Sequence, residues 1–162
     1  MTPLELVRVD LGELLDAGAI SARVNASSKR QALAIVADIA ARSIDATAAE
    51  IVSKLMAREK LSSTGVGHGV AVPHARLKGL DRMHGVFVRL ETPIDFGSVD
   101  EQPVDLIFAL LAPIDHPAEH LRALARVSRA LRQADLRRQL RQAHSVDAVR
   151  ALLVRDAQPN AA

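Results

Sequence analysis

The sequence predicts an α/β architecture, a mixed sheet covered by helices on both faces. Helix-period apolar stripes with their own N-cap signals precede residue 62. Apolar and β-branched runs then crowd between Val70 and Leu111. Helical periodicity returns after Pro113. The expected order is β-α-α-β-β-β-α-α-α.

The first strand is placed at residues 22–26 (ARVNA). Ser28-Lys29-Arg30-Gln31 reads as a capping box, followed by Ala32, Ile35, Val36 and Ile39 at helical spacing. Thr47-Ala48-Ala49-Glu50 repeats the device ahead of Ile51, Val52 and Leu55, with the helix expected to end near Arg58. Val70 to His74 is predicted as one strand and residues 85–91 as a second. Val104 to Leu111 is so continuously apolar that it reads as a buried central strand. Pro117 suits the first turn of the next helix, with Leu121, Leu124, Ala125, Ser128 and Leu131 as its inward face. Two more helices are expected over 133–142 and 146–154, the last capped by Ser145. Residues 1–155 read as one domain and 156–162 as a loose tail.

Composition narrows the function classes. At 162 residues, 49% apolar and 25% charged, the chain is of ordinary globular make-up and long enough for a core of its own. Phe87, Phe96 and Phe108 are its only Phe, Tyr or Trp residues, which argues against base-stacking platforms for single-stranded nucleic acid. There is no cysteine, so disulfides and thiolate metal sites are excluded. The start of the chain, with Pro3 and acids at Glu5, Asp10 and Glu13, is unlike a signal peptide, and no apolar run reaches the ~20 residues of a membrane span. A soluble cytoplasmic protein is expected, with neither nucleic acid nor membrane as partner. Net charge is only +2, but nine arginines (Arg122, Arg126, Arg129, Arg132, Arg137, Arg138, Arg141, Arg150 and Arg155) crowd the last third, where the acids are sparse. Such a run reads first as the solvated outer face of helices, and second as a surface for an acidic partner or nucleic acid.

The richest stretch chemically is residues 62–76, SSTGVGHGVAVPHAR. Gly65, Gly67 and Gly69 let the backbone turn tightly and bring its N–H groups close to a ligand, while Pro73 constrains the approach to His74. The loop is followed by a strand rather than a helix, so it is no dinucleotide fingerprint; a P-loop is absent, and Ser98 lacks the nucleophile-elbow motif. His116 and His120, four apart, are spaced to share a helix face and hold a metal with His74 as third ligand, but no HExxH motif accompanies them. His74 by itself is compatible with a structural histidine. As a phosphoryl acceptor it needs a neutral ring near pH 7 and charge stabilisation around the transferring oxygens, which Arg58 and His120 are placed to supply.

Taken together, the run from Arg58 to His74 (REKLSSTGVGHGVAVPH) and the later blocks VRLETPIDFG, QPVDLIFALLAP and EHLRALA resemble the IIA components of the bacterial phosphoenolpyruvate-dependent phosphotransferase system, mannitol–fructose type. The likeness runs from about Ala22 to Leu153 and is greatest to the nitrogen-regulatory branch. It implies a three-layer sandwich, and it implies that His74 is phosphorylated by an HPr-like phosphocarrier. His120 would then be the second active-site histidine, and Arg58 the arginine offsetting the phosphoryl charge. No cofactor or resident metal is called for. Two alternatives stand beside the regulator: a sugar-specific carrier passing phosphoryl to a IIB domain, and a binding module whose histidines hold a metal or nothing. Two departures are visible: His68 stands where the family commonly has a small or amide side chain, and Ala75-Arg76 replaces a more usual Gly-Lys. His68 is expected to face solvent.

Overall fold

The computed structural model describes residues 11–154. The expected tail (156–162), the reading of the N-terminal residues and Arg155 lie outside that range. A single 3-10 turn, Gly12–Leu14, leads into β1 (Leu15–Val24), α1 (Lys29–Ala40) and α2 (Ala48–Leu61). Then come β2 (Gly65–Gly67), β3 (Val70–Ala71), β4 (His74–Leu77), β5 (His84–Ile94) and β6 (Val104–Pro113), followed by α3 (Pro117–Leu131), α4 (Ala134–Gln142) and α5 (Val146–Val154).

The six strands form one mixed sheet in the order β1-β5-β6-β3-β2, with β4 also on β6. β6 is its centre. It runs antiparallel to β5 on one side and parallel to β3 and β4 on the other. Its alternation separates two cores: Leu106, Phe108, Leu110 and Ala112 face α3, α4 and α5, whereas Ile107, Ala109 and Leu111 face α1 and α2. With both faces covered, successive residues meet apolar neighbours on one side or the other, which is why this strand reads as an unbroken apolar run. The three-layer α/β sandwich is as expected.

Several elements differ from expectation, each for a physical reason. β1 begins seven residues early, because Gly18 at φ +82° and a register shift between Leu15 and Ile20 break the period-2 pattern that marks a strand. α2 runs on to Leu61, one turn past Arg58, since nothing in Glu59-Lys60-Leu61 stops a helix. The glycine loop is itself a hairpin: Gly67 pairs with Val70, and His68 (φ 59°) and Gly69 (φ 77°) make a two-residue turn with both residues left-handed. The expected strand from Val70 to His74 is two strands, interrupted at Val72-Pro73, where proline supplies no ladder N–H. In α3 the inward face is His120, Ala123, Val127, Ala130 and Leu131, with Leu124 partly buried, while Leu121 is 66% exposed. Two apolar stripes lie side by side on this helix, and packing against β6 selects the one with the smaller side chains.

The caps fall where expected. Ser28 accepts from Gln31 N at 3.1 Å, Thr47 from Glu50 N at 3.1 Å and Ser145 from Ala148 N at 3.1 Å. The return arm of the first box is shifted by one residue: Gln31 Oε1 accepts from the backbone N of Ser27 rather than Ser28. Most of the described C-terminal arginines are committed to the fold. Arg137 and Arg150 donate to backbone carbonyls, and Arg141 grips Asp105. No described helix is long and apolar enough to cross a membrane.

Candidate functional site

The end of α2, the start of β4 and the start of α3 meet around a concavity of about 400 Å³ lined by Lys54, Ala57, Arg58, Leu61, His74, Ala75, Arg76 and His120. It therefore brings together all three residues singled out from the sequence. Each is positioned by a different element. Arg58 projects from the last turn of α2, where its Nη1 also donates to Ser62 O at 2.9 Å. His74 opens β4 opposite Leu110 of β6. His120 sits on the buried face of α3, one turn in from Pro117.

The His74 ring is held at both nitrogens. Nδ1 lies 2.8 Å from Val72 O, and Nε2 lies 3.3 Å from Arg58 Nε. A carbonyl only accepts and a guanidinium only donates, so the proton must sit on Nδ1 and the lone pair on Nε2. Val72 O is free for this because the strand interruption at Pro73 takes it out of the ladder. The ring of His120 meets that of His74 edge-on, with centroids 5.3 Å apart and planes at 73°. Its Nε2 is buried with no hydrogen-bond partner among the described residues.

Burial is the main force lowering the His74 pKa from 6.5, and the Arg58 and Arg76 charges add to it, while the Val72 hydrogen bond and Glu59 act the other way. His120 is lowered too, first by burial and then by His74 and Arg76. The downward shifts favour the neutral form of both rings, and the lone pair on Nε2 of His74 has a cation beside it.

Three contributors escaped the sequence reading or were only brushed by it. Glu59, 7% exposed, accepts from Lys29 Nζ at 3.0 Å, from Thr64 N at 3.1 Å and from the Thr64 hydroxyl, tying the end of α2 to the strand that follows. Only its position beside Arg58 could have drawn attention, because its partners come from two other segments, α1 and the turn after α2. Lys54 lies one turn before Arg58, and the i, i+4 spacing was there to be read. Arg76, noted only as a departure, lines the concavity. The remaining histidines lie elsewhere. His68 is exposed, as expected, and lines a separate depression with Asp105 and Arg141. His116 is the exposed residue before α3 and does not line the His74 concavity. Among the described residues no group of three or more His, Asp or Glu is arranged to hold a metal ion.

The chain is similar to known proteins over most of its length. Residues 13–155 match the family model described as phosphoenolpyruvate-dependent sugar phosphotransferase system, EIIA 2. A nitrogen regulatory protein of Bradyrhizobium diazoefficiens is 43% identical over 141 residues, 87% of this chain and 92% of the relative. One from Escherichia coli K12 is 41% identical over 138 residues, 85% of each chain. The crystal structure of nitrogen regulatory protein IIA-Ntr from Neisseria meningitidis superposes with a TM-score of 0.84 at 36% identity, covering 88% of this chain and 98% of that one. A family model matched across residues 13–155, with relatives 41% and 43% identical over most of both chains, places the chain in the EIIA type 2 family of the phosphoenolpyruvate-dependent phosphotransferase system.

Proposed function

We propose that this protein is a phosphohistidine-carrying regulator of the nitrogen-related phosphotransferase system, charged on His74 Nε2 by an HPr-like phosphocarrier. The observation that carries the reading is the two-sided lock on His74. With Nδ1–H on Val72 O, the lone pair of Nε2 is presented to the concavity. In the transfer, the donor's phosphorus–nitrogen bond breaks, its electron pair stays on the donor nitrogen, and Nε2 of His74 forms the new bond. The proton stays on Nδ1, donated to the Val72 carbonyl throughout, so the phosphorylated ring carries a positive charge that the phosphoryl oxygens offset.

Arg58, already on Nε2, would turn its donors onto the phosphoryl oxygens, whose charge at pH 7 is about −1.5 to −2. His120, protonated on the Nε2 that lacks a partner, would donate a second hydrogen bond. Because such a reaction is mostly positioning and charge stabilisation, two neutral rings and a fixed guanidinium suffice without a further base. Charging the site then changes the electrostatics of the surface around it, and partners that dock there would read the difference.

Incubation with phosphoenolpyruvate, enzyme I and a phosphocarrier should add one acid-labile phosphoryl by intact mass. His74→Ala should abolish it, and Arg58→Ala or His120→Ala should slow it by about 10²-fold. Full stoichiometry in His74→Ala would refute the assignment. The sugar-carrier reading predicts onward transfer to a IIB domain, which the same mass assay detects when one is added.

A further inference from the structure

The concavity holds more positive charge than Arg58 accounts for. Its charged lining residues are Lys54, Arg58 and Arg76, and no acid lines it. Glu59, the nearest acid in sequence to Arg58, is buried and committed to Lys29 and Thr64. Lys54 is exposed, and no hydrogen bond or ion pair ties it to any described residue. That is so although Glu50 stands one turn earlier on α2, the spacing at which a helix commonly makes a Glu–Lys pair. Lys54, Ala57, Arg58 and Leu61 fall at i, i+3, i+4 and i+7, so one stripe of α2 delivers both cations to the concavity that His74 lines. An ammonium on a four-carbon stem, with three rotatable donors, suits a group whose oxygens arrive and leave.

We infer that Lys54 is a phosphoryl-binding residue of this site, a third cation whose ammonium engages the transferred group on His74 and holds it there. The inference rests on the phosphohistidine reading above. Lys54 makes and breaks no covalent bond: the phosphoryl passes from the donor nitrogen to Nε2 of His74, and the ammonium stays protonated. It acts on the charged form alone, because the uncharged site offers it no anion. Lys54 therefore shifts the equilibrium between donor and acceptor toward this protein.

The test is the equilibrium partition of phosphoryl between the HPr-like carrier and this protein, read by intact mass in a closed mixture charged with limiting phosphoenolpyruvate and enzyme I. Partition at equilibrium compares the two phosphoproteins, so it is blind to how the carrier docks. Lys54→Gln should move it about threefold to tenfold toward the carrier at low ionic strength, and the difference should shrink as salt is raised. Lys54→Arg should retain the wild-type partition. Lys60→Gln removes an equal charge from an exposed position of the same helix outside the concavity, and should change nothing. If Lys54→Gln and Lys60→Gln coincide, or Lys54→Arg behaves like Lys54→Gln, the inference is overturned while phosphorylation of His74 stands. A wild-type protein that takes no acid-labile phosphoryl overturns both. Superposable circular dichroism melts of the variants exclude a folding effect at this exposed site.

Discussion

Glu59→Ala tests how firmly the site is built. The carboxylate side chain is 2% exposed and its Lys29 partner 24%. Removing it strips three donors of their acceptor, and they do not suffer equally. Thr64 N–H is buried in the turn and has no other acceptor at hand, so it loses a charge-assisted bond and keeps its desolvation penalty, about 2 kcal/mol. The Thr64 hydroxyl can rotate, and Lys29 can rehydrate through its exposed quarter, so together they add about 1 kcal/mol. The total of about 3 kcal/mol is a large part of the 5–15 kcal/mol that holds a domain together. With a urea m-value of about 2 kcal/mol/M, the midpoint should fall by about 1.5 M at unchanged slope.

The chain has no Trp or Tyr, so far-UV circular dichroism is the probe. Glu59→Gln leaves one acceptor for Thr64 N and should lose about half as much. A loss below about 0.5 kcal/mol in Glu59→Ala would refute the reasoning, since that is the range of surface substitutions away from any special feature.

Two further outcomes are expected. His74 and His120 bind their protons less tightly folded than unfolded, so unfolding below about pH 6.5 takes up protons. Their contribution to stability therefore rises with pH from the folded values up to near 6.5 and is level above; urea midpoints between pH 5 and 7.5 should show this slope, and His74→Gln/His120→Gln should reduce it. Gly69→Ala adds a Cβ 2.4 Å from Arg141 Nη2 and 3.0 Å from Asp105 Oδ1 at a residue with φ +77°, and should destabilise by about 2–3 kcal/mol in the same assay; a loss under about 0.5 kcal/mol would mean that the Arg141 fork moves aside freely.

What could be read from the sequence depended on whether the signal was local. Caps at Ser28, Thr47 and Ser145 involve residues three apart and were all visible, as was β6, whose burial on two faces writes itself as an apolar run. The hairpin Gly65–Ala71 was not, because three glycines carry no side-chain alternation and its strands are three and two residues long. That hairpin also accounts for His68: a left-handed φ of 59° is a conformation that Asn, Asp and His tolerate better than most non-glycine residues. The inward face of α3 was misread because Leu121 is larger than Ala123, and bulk is a poor guide when a helix lies close against a strand. Resemblance named Arg58, His74 and His120, which the structure brings around one concavity, whereas Lys54 and Glu59 went unnamed. Lys54 depends on which stripe of α2 faces the concavity, and Glu59 on contacts between distant segments.

The gap at Val72-Pro73 has a regiochemical consequence. A strand that ran unbroken from Val70 to Leu77 would tend to spend the Val72 carbonyl on a neighbouring strand and leave the His74 ring free to choose between two tautomers. Here the missing ladder bond becomes a fixed address on the imidazole. Any electrophile entering the concavity finds the lone pair on one nitrogen, met there only by the Arg58 guanidinium, and the other nitrogen already engaged by the main chain. The choice of isomer is thus made by the backbone, and it is the same choice whether the group is arriving or departing.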